Sequence, residues 1–289
     1  MTQLALPLKW HGGKGGCRDL RNWIIGLMPS HVHYVEPYFG GGSVLLAKPF
    51  DGISEVVNDL DGRLVGFFRV LQDDRLFQRF ARVAGAVPFA EREWIDAGGR
   101  LDDPDPVLRA VAFFVRCRQS LAGRMDTFTP LPRRRTRRGM NDAVSAWLSA
   151  IDGLPAVHAR LMRVAILHRP ALEVIRTQDG PDTLFYCDPP YVPATRTAPK
   201  VYGAFEMTAT DHEELLDTIR QAKGKAMISG YPSPLYDRLL PGWTRHVFAV
   251  KNSAAGGKKK RDMLEAVWCN FTPTRKNESR GGLTQRPIL

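Results

Sequence analysis

An acid, two prolines and an aromatic residue stand together at Asp188-Pro189-Pro190-Tyr191, directly after the apolar run Leu184-Phe185-Tyr186-Cys187. A run of that length and character predicts a buried strand, so the four residues emerge at its carboxyl edge. Consecutive prolines lack backbone N–H groups, fix φ and restrict the residue before each of them, which makes a rigid turn with its carbonyls held outward. The product is a stiff array of acceptors. An exocyclic aromatic amine is a poor nucleophile because its lone pair is delocalised into the ring, and a site that accepts both N–H hydrogens favours a more pyramidal, reactive nitrogen. Asp188 and the Pro189 carbonyl supply those acceptors, while Tyr191 offers an aromatic face for an extruded base. A plain proline-rich turn that ends a strand is the alternative, and it leaves the acid and the aromatic unexplained.

A second constellation is Tyr34-Val35-Glu36-Pro37-Tyr38-Phe39-Gly40-Gly41-Gly42-Ser43, a strand followed by glycines that let a ligand approach the backbone. It lacks the Gly-x-Gly-x-x-Gly spacing of a dinucleotide site, and no Gly-Lys-Ser/Thr closes it as a phosphate loop. The absence of a phosphate cradle argues for an adenosyl ligand without phosphates. Asn58-Asp59 ends the next strand candidate, where an acid meets ribose hydroxyls in sheet-edge cofactor sites; Asp59 serves equally well as a helix N-cap. A third segment, Leu8-Lys9-Trp10-His11-Gly12-Gly13-Lys14, pairs close backbone approach with an aromatic wall at Trp10 and a cation at Lys14.

The elements that position these residues follow from periodicity. Strands are expected at 32–37, 55–58, 183–187, 225–229, 245–250 and 263–269, and helices opening at 43–47 and running over 64–71 and 211–223. The last of these has two possible capping boxes, Thr208 with Asp211 and Thr210 with Glu213. Strand, glycine turn, helix, strand is the order of a parallel α/β sheet, whose ligands bind at the carboxyl ends of its strands. From about 76 to 163 strand-like runs are few, and stretches such as 107–118, with Val107, Leu108, Val111, Ala112 and Val115 on one face, predict a mainly helical lobe. The polar 251–262 segment joins the last two strands, and 275–289 has the composition of a disordered tail.

The bulk properties narrow the partner. A chain of 289 residues with 44% apolar residues can bury a substantial core. Cys17, Cys117, Cys187 and Cys269 lie too far apart for a zinc knuckle or a disulfide framework, which fits a reduced cytosolic setting. The N-terminal residues do not form a secretory signal, and no apolar run approaches membrane-spanning length. The formal net charge of +11 favours an anionic polymer. That charge concentrates at 116–138, where eight arginines (116, 118, 124, 133, 134, 135, 137 and 138) face the single acid Asp126. Arg133, Arg134 and Arg135 open a run, flanked by Pro132 and Gly139, expected to be a flexible loop over a phosphate backbone. Lys258-Lys259-Lys260-Arg261 is either a further phosphate contact or a solvated hairpin tip. His31-x-His33 has strand spacing for two metal ligands but no completing donors, so structural or surface histidines are expected and no metal. Cys187 is expected to be a buried strand thiol.

Together the Trp10-x-Gly-Gly-Lys14 segment, the Glu36-Pro37-x-x-Gly40-x-Gly42-Ser43 loop, the Asn58-Asp59 pair and Asp188-Pro189-Pro190-Tyr191 resemble, in content and order, the Dam-type (D12 class) DNA adenine-N6 methyltransferase family. The resemblance spans roughly residues 6–60 and 180–270. It implies a Rossmann-like α/β sheet dependent on S-adenosyl-L-methionine, with an interposed mainly helical target-recognition lobe. The corresponding divisions are a catalytic domain in two parts, 1–62 and 166–274, a lobe at 63–165, and a tail at 275–289. By the resemblance Trp10, Lys14, Asp59 and Asp188 match cofactor-binding positions, with Glu36, Gly40 and Gly42 along the same cofactor; Asp188, Pro189, Pro190 and Tyr191 form the catalytic turn. Arg118-Gln119-Ser120-Leu121-Ala122-Gly123-Arg124 is similar to the family's recognition region without the Asn-Gly of some members, and Arg118, Gln119 and Arg124 are expected near DNA. The implied partners are double-stranded DNA and, in a restriction pair, a cognate endonuclease; no membrane and no obligate protein partner is implied, and a bacterial or phage-encoded cytoplasmic protein fits. Two rival readings are methylation of cytosine N4 and a DNA-binding relative without catalysis.

Overall fold

A computed structural model describes residues 4–10, 14–131, 134–196, 202–251, 262–273 and 282–284. In chain order its elements are α1 (Arg18–Leu27), β1 (His33–Glu36), β2 (Ser54–Asn58), α2 (Gly62–Gln72), α3 (Asp74–Ala86), α4 (Glu91–Gly98), α5 (Pro106–Arg118), β3 (Thr136–Arg137) and β4 (Met140–Asn141). Then come α6 (Asp142–Asp152), α7 (Leu154–Leu161), β5 (Val164–Leu167), α8 (Ala171–Thr177), β6 (Thr183–Cys187), α9 (Ala209–Arg220), β7 (Lys225–Gly230), α10 (Pro234–Leu239), β8 (Thr244–Lys251), β9 (Asp262–Cys269) and β10 (Gly282–Thr284). They divide into two compact units, one of residues 17–39, 48–60 and 169–289, the other of residues 1–16, 40–47 and 61–168.

The first unit holds a sheet in the order β10-β8-β9-β7-β6-β1-β2 among its described residues. Its centre is parallel: β1 lies between β2 and β6, and β6 pairs with β7. The edge is antiparallel, with β9 between β7 and β8 and β10 on β8. Every residue of β6 is buried, as a parallel strand covered on both faces requires, and this is why its sequence is a continuous apolar run rather than an alternation. This is the expected mixed α/β, Rossmann-like sheet. Of the two boxes available to α9, Thr208 with Asp211 forms: the Asp211 carboxylate accepts from the Thr208 N–H at 2.6 Å and the Thr208 hydroxyl accepts from the Asp211 N–H at 3.2 Å. Within the stretch expected to be a disordered tail, Gly282–Thr284 pairs with β8, Leu283 opposite Val247, so backbone pairing on an open edge orders three residues whose composition gives no such sign.

The second unit is built from α2 to α7. Its helices start where short acceptors precede apolar periodicity: Asp61 caps α2, Asp73 caps α3, Asp105 caps α5 ahead of Pro106, and Asn141 caps α6. Each cap is worth about 1 kcal/mol. An aromatic cluster fills the core, with Phe67 stacked on Phe114 at 6.0 Å, Phe80 edge-on to Phe114 at 5.7 Å, and Trp147 against Phe114 at 5.0 Å. The helix expected to open at Ser43 is only a turn, closed by Leu46 N–H to Gly42 O at 3.1 Å and Ala47 N–H to Val44 O at 3.0 Å; Pro49 bars Lys48 from the helical region and stops it. Strand β5 has no counterpart among the sequence expectations.

Candidate active site

In the sheet unit, β1 and β6 are parallel neighbours with Val35 level with Phe185, so Glu36 and the turn beginning at Asp188 leave the sheet at the same carboxyl edge. Asp188 is half-buried there, Pro189 and Tyr191 are buried, and Pro190 is half-buried. Glu36 is buried, and burial, reinforced by the charges of Asp188 and Glu55, pushes its carboxyl up to about 8 against the pull of Tyr34 and Lys48. The Tyr34 hydroxyl donates to Glu36 Oε1 at 2.7 Å. Behind it Lys48 Nζ sits 2.8 Å from Glu55 Oε1 in a fully buried ion pair and 4.4 Å from the centre of the Tyr34 ring. An interior carboxyl is thus kept neutral at ordinary pH at the mouth of the sheet.

Asn58 acts as a clasp. Its amide nitrogen donates to the carbonyls of Pro37 and Arg169, both at 3.0 Å, and its oxygen accepts from the Arg169 N–H at 2.9 Å. Its backbone carbonyl accepts from Phe39 N–H at 2.8 Å, so the segment after β1 is tied to the end of β2. Asp59 follows, half-buried. The N-cap role open to it in the sequence belongs to Asp61, whose carboxylate accepts from the Arg63 and Leu64 N–H groups.

Tyr191 is 5% exposed. Its hydroxyl donates to Glu265 Oε2 at 2.7 Å, and its ring meets Tyr231 edge-on at 4.7 Å and 78°. Nothing in the sequence marks Glu265 or Tyr231 beyond a single acid inside the apolar run of β9. Cys187 is buried as expected, and burial pushes its thiol up, so it is no nucleophile. His31 and His33 are structural: His31 Nδ1 contacts the Pro29 carbonyl at 2.7 Å, and His33 contacts Gln178 at 3.1 Å and Ser54 at 3.2 Å. Among the described residues no group of three or more metal-ligating side chains forms.

In the helical unit, Trp10 lies against the glycine turn. A Cβ on Gly41 would stand 2.7 Å from Trp10 Cβ, and one on Gly40 would stand 3.1 Å from Trp10 Cδ1 and Nε1. Gly40 and Gly42 have φ of +50 and +69, a conformation costly for other residues. Lys14 is buried, and His11 to Gly13 lie outside the described residues. The segment before Trp10 is itself held: a Cβ on Gly123 would overlap the Lys9 carbonyl oxygen at 1.4 Å, and the Cys117 thiol donates to that oxygen at 3.3 Å.

The arginine-rich stretch divides by burial. Gln119, expected near DNA, is fully buried; its amide nitrogen donates to Pro88 O at 3.1 Å and its oxygen accepts from the Ala90 N–H at 3.3 Å, so it braces the start of α4 and its side chain has no surface to offer DNA. Arg118 turns inward, donating to the Ala146 carbonyl at 2.6 Å, and burial lowers its pKa. Arg116 lies 3.6 Å over the Trp94 ring and donates to the Trp94 and Met125 carbonyls. Arg124, Arg134, Arg135 and Arg137 are exposed. In place of the flexible loop expected at 133–138, β3 and β4 form a hairpin whose central pair, Arg138 and Gly139, have φ of +53 and +73, the two left-handed residues of a type I′ turn. Arg138 folds back onto Ser145 at 3.0 Å. Arg133 and Lys258 to Arg261 lie outside the described residues.

Residues 10–123 match the family model described as D12 class N6 adenine-specific DNA methyltransferase, a span that holds Trp10, Lys14, Glu36, the glycine turn and Asp59. Over those residues the chain resembles that class. A type II methyltransferase of Lactococcus lactis subsp. cremoris, M1.LlaDCHI, is 23% identical over 91% of this chain and 94% of its own length. The DNA adenine methylase of Vibrio cholerae serotype O1 is 24% identical over 92% and 95%. Among solved structures, the rRNA methyltransferase aviRa of Streptomyces viridochromogenes shares 12% identity over 86% of this chain and 82% of that one at a TM-score of 0.31, a likeness on which nothing further rests. A match to that family model implies a methyl donor and a DNA substrate. Among the described residues no helix is long and apolar enough to cross a membrane.

Proposed function

We propose that this protein transfers a methyl group from S-adenosyl-L-methionine to N6 of adenine in double-stranded DNA. The observation that carries the reading is the placement of the Asp188-Pro189-Pro190-Tyr191 turn at the carboxyl end of β6, beside the carboxyl end of β1 that carries Glu36. When bound, the cofactor supplies a methyl group already activated on a sulfonium, so the protein's task is alignment rather than activation of the donor.

The residues present suit that cofactor. It is a cation with an adenosyl group and no phosphate, and the motif residues offer the half-buried acids Asp59 and Asp188, the neutral buried carboxyl of Glu36 as a hydrogen-bonding group, an aromatic at Trp10 and glycines that only a close ligand or neighbour requires. Asp188 and the Pro189 carbonyl accept the two N–H hydrogens of the adenine amine and turn its lone pair toward the donor. Tyr191 holds the base once it leaves the duplex stack. Exposed Arg124, Arg134, Arg135 and Arg137 meet phosphates, whose counterion release makes affinity fall steeply with salt. In a restriction pair a cognate endonuclease is the partner, and protection of host DNA from that nuclease tests it.

Asp188→Ala is expected to abolish adenine methylation of DNA in an assay with tritiated S-adenosyl-L-methionine while its circular dichroism matches wild type. Retained turnover would refute the role of Asp188. Nucleoside mass spectrometry of the product distinguishes N6-methyladenine from N4-methylcytosine.

A further inference from the structure

The aromatic end of the catalytic turn is anchored by a residue 74 positions away in sequence. β9 is antiparallel to its neighbour β7, so its early residues, not its late ones, lie at the carboxyl edge of the parallel strands: Ala266 is opposite Gly230, the last residue of β7. Glu265, next to Ala266, is the lone acid in Leu264-Glu265-Ala266-Val267-Trp268, a run whose last three residues are buried. An acid in such a run costs stability unless a partner offsets the desolvation. Its partner here is the Tyr191 hydroxyl at 2.7 Å, in the range of charge-assisted O–H donation to a carboxylate. Tyr231, the first residue after β7, meets the Tyr191 ring edge-on at 4.7 Å.

We propose that Glu265 is a positioning residue for methyl transfer, holding the Tyr191 ring by its hydroxyl so that the aromatic of the catalytic turn is set before the base arrives. This rests on the reading of Asp188 to Tyr191 as the adenine site. Two prolines fix the backbone before Tyr191 but leave its side-chain torsions open; the bond at the ring tip and the Tyr231 contact at its edge close them. A ring fixed beforehand spares the ordering cost at the moment of reaction, which appears in kcat rather than in cofactor affinity.

The test compares Glu265→Ala, Glu265→Gln, Tyr191→Phe and the double variant Tyr191→Phe/Glu265→Ala, with kcat and the KM for S-adenosyl-L-methionine measured on a duplex carrying the adenine site found modified in host DNA. Glu265→Ala is expected to lower kcat about tenfold, the scale of one lost charge-assisted bond, with the cofactor KM unchanged. Glu265→Gln, whose amide oxygen still accepts the hydroxyl, retains kcat within about twofold. In the Tyr191→Phe background, removal of Glu265 has no added effect. Replacing the target adenine with 2-aminopurine gives a spectroscopic signature: its emission in the complex differs between wild type and Glu265→Ala and matches wild type in Glu265→Gln. Wild-type kcat in Glu265→Ala, or a full further loss in the double variant, overturns the proposal. Should Glu265→Ala fail to fold, Tyr191→Phe decides: it keeps the ring, loses only the hydroxyl, and must lose the same factor in kcat. Wild-type protein that leaves adenine unmethylated would sink the functional reading itself, whereas a null effect confined to the variants counts against Glu265 alone.

Discussion

Glu36→Gln should make the protein more stable in alkali and leave it unchanged in acid. The Glu36 carboxyl is 2% exposed and titrates at about 8 in the fold against 4.5 for a free glutamate, chiefly because burial penalises its charged form. Below pH 4.5 it is protonated in both folded and unfolded chains and has no effect on the balance. Between 4.5 and about 8 the folded protein keeps a proton that the unfolded chain has released, so stability falls as pH rises, by up to about 1.4 kcal/mol per pH unit. Above about 8 the carboxyl is ionised in both states and the loss is complete, at most about 5 kcal/mol. Glutamine mimics the protonated acid and should not show this loss. Urea denaturation of wild type and Glu36→Gln from pH 4 to 9, followed by tryptophan fluorescence, reads the difference directly: the two curves should meet near pH 4 and diverge toward pH 8, the variant above. Parallel curves across that range would mean that Glu36 is ionised inside the fold, and the argument from desolvation would be wrong.

Lys48→Met removes the cation paired with the buried Glu55 carboxylate and is expected to cost about 3–5 kcal/mol, seen as a lowered Tm; Lys48→Met combined with Glu55→Gln should recover most of it. Gly123→Ala places a Cβ 1.4 Å from the Lys9 carbonyl oxygen at a φ of +73 and should destabilise by more than about 4 kcal/mol, measured by chemical denaturation or as insoluble protein. Gly41→Ala drives a Cβ into Trp10, 2.7 Å away, and is expected to raise the Kd for S-adenosyl-L-methionine about tenfold in calorimetry while secondary structure is preserved.

The sequence by itself determined the strands β1, β2, β6, β7, β8 and β9 and which motif residues stand at their ends. β6 and β7 are buried runs whose composition is their own signal, and the residues that follow them are set by chain direction alone. The same holds for the caps at Asp61, Asp73 and Asp105, which act within three residues. Boundaries that depend on a neighbour were lost: the turn at 43–47, halted by Pro49, passes for a helix opening, and β10 lies hidden in a polar tail because an edge strand needs only backbone groups to pair.

Only the tertiary structure decided which polar residues face inward. Gln119 and Arg118 have the composition of a DNA-facing segment, yet Gln119 is fully buried and braces the start of α4, while Arg118 donates to the backbone of α6. Arg138 and Gly139 make a tight hairpin out of an apparent flexible loop. Lys48 behind Tyr34 and Glu36, and Glu265 behind Tyr191, carry no motif at all. A side chain's role in such pairs is set by distance through space, and residues 74 apart in the chain come within 2.7 Å only once the antiparallel edge of the sheet has formed.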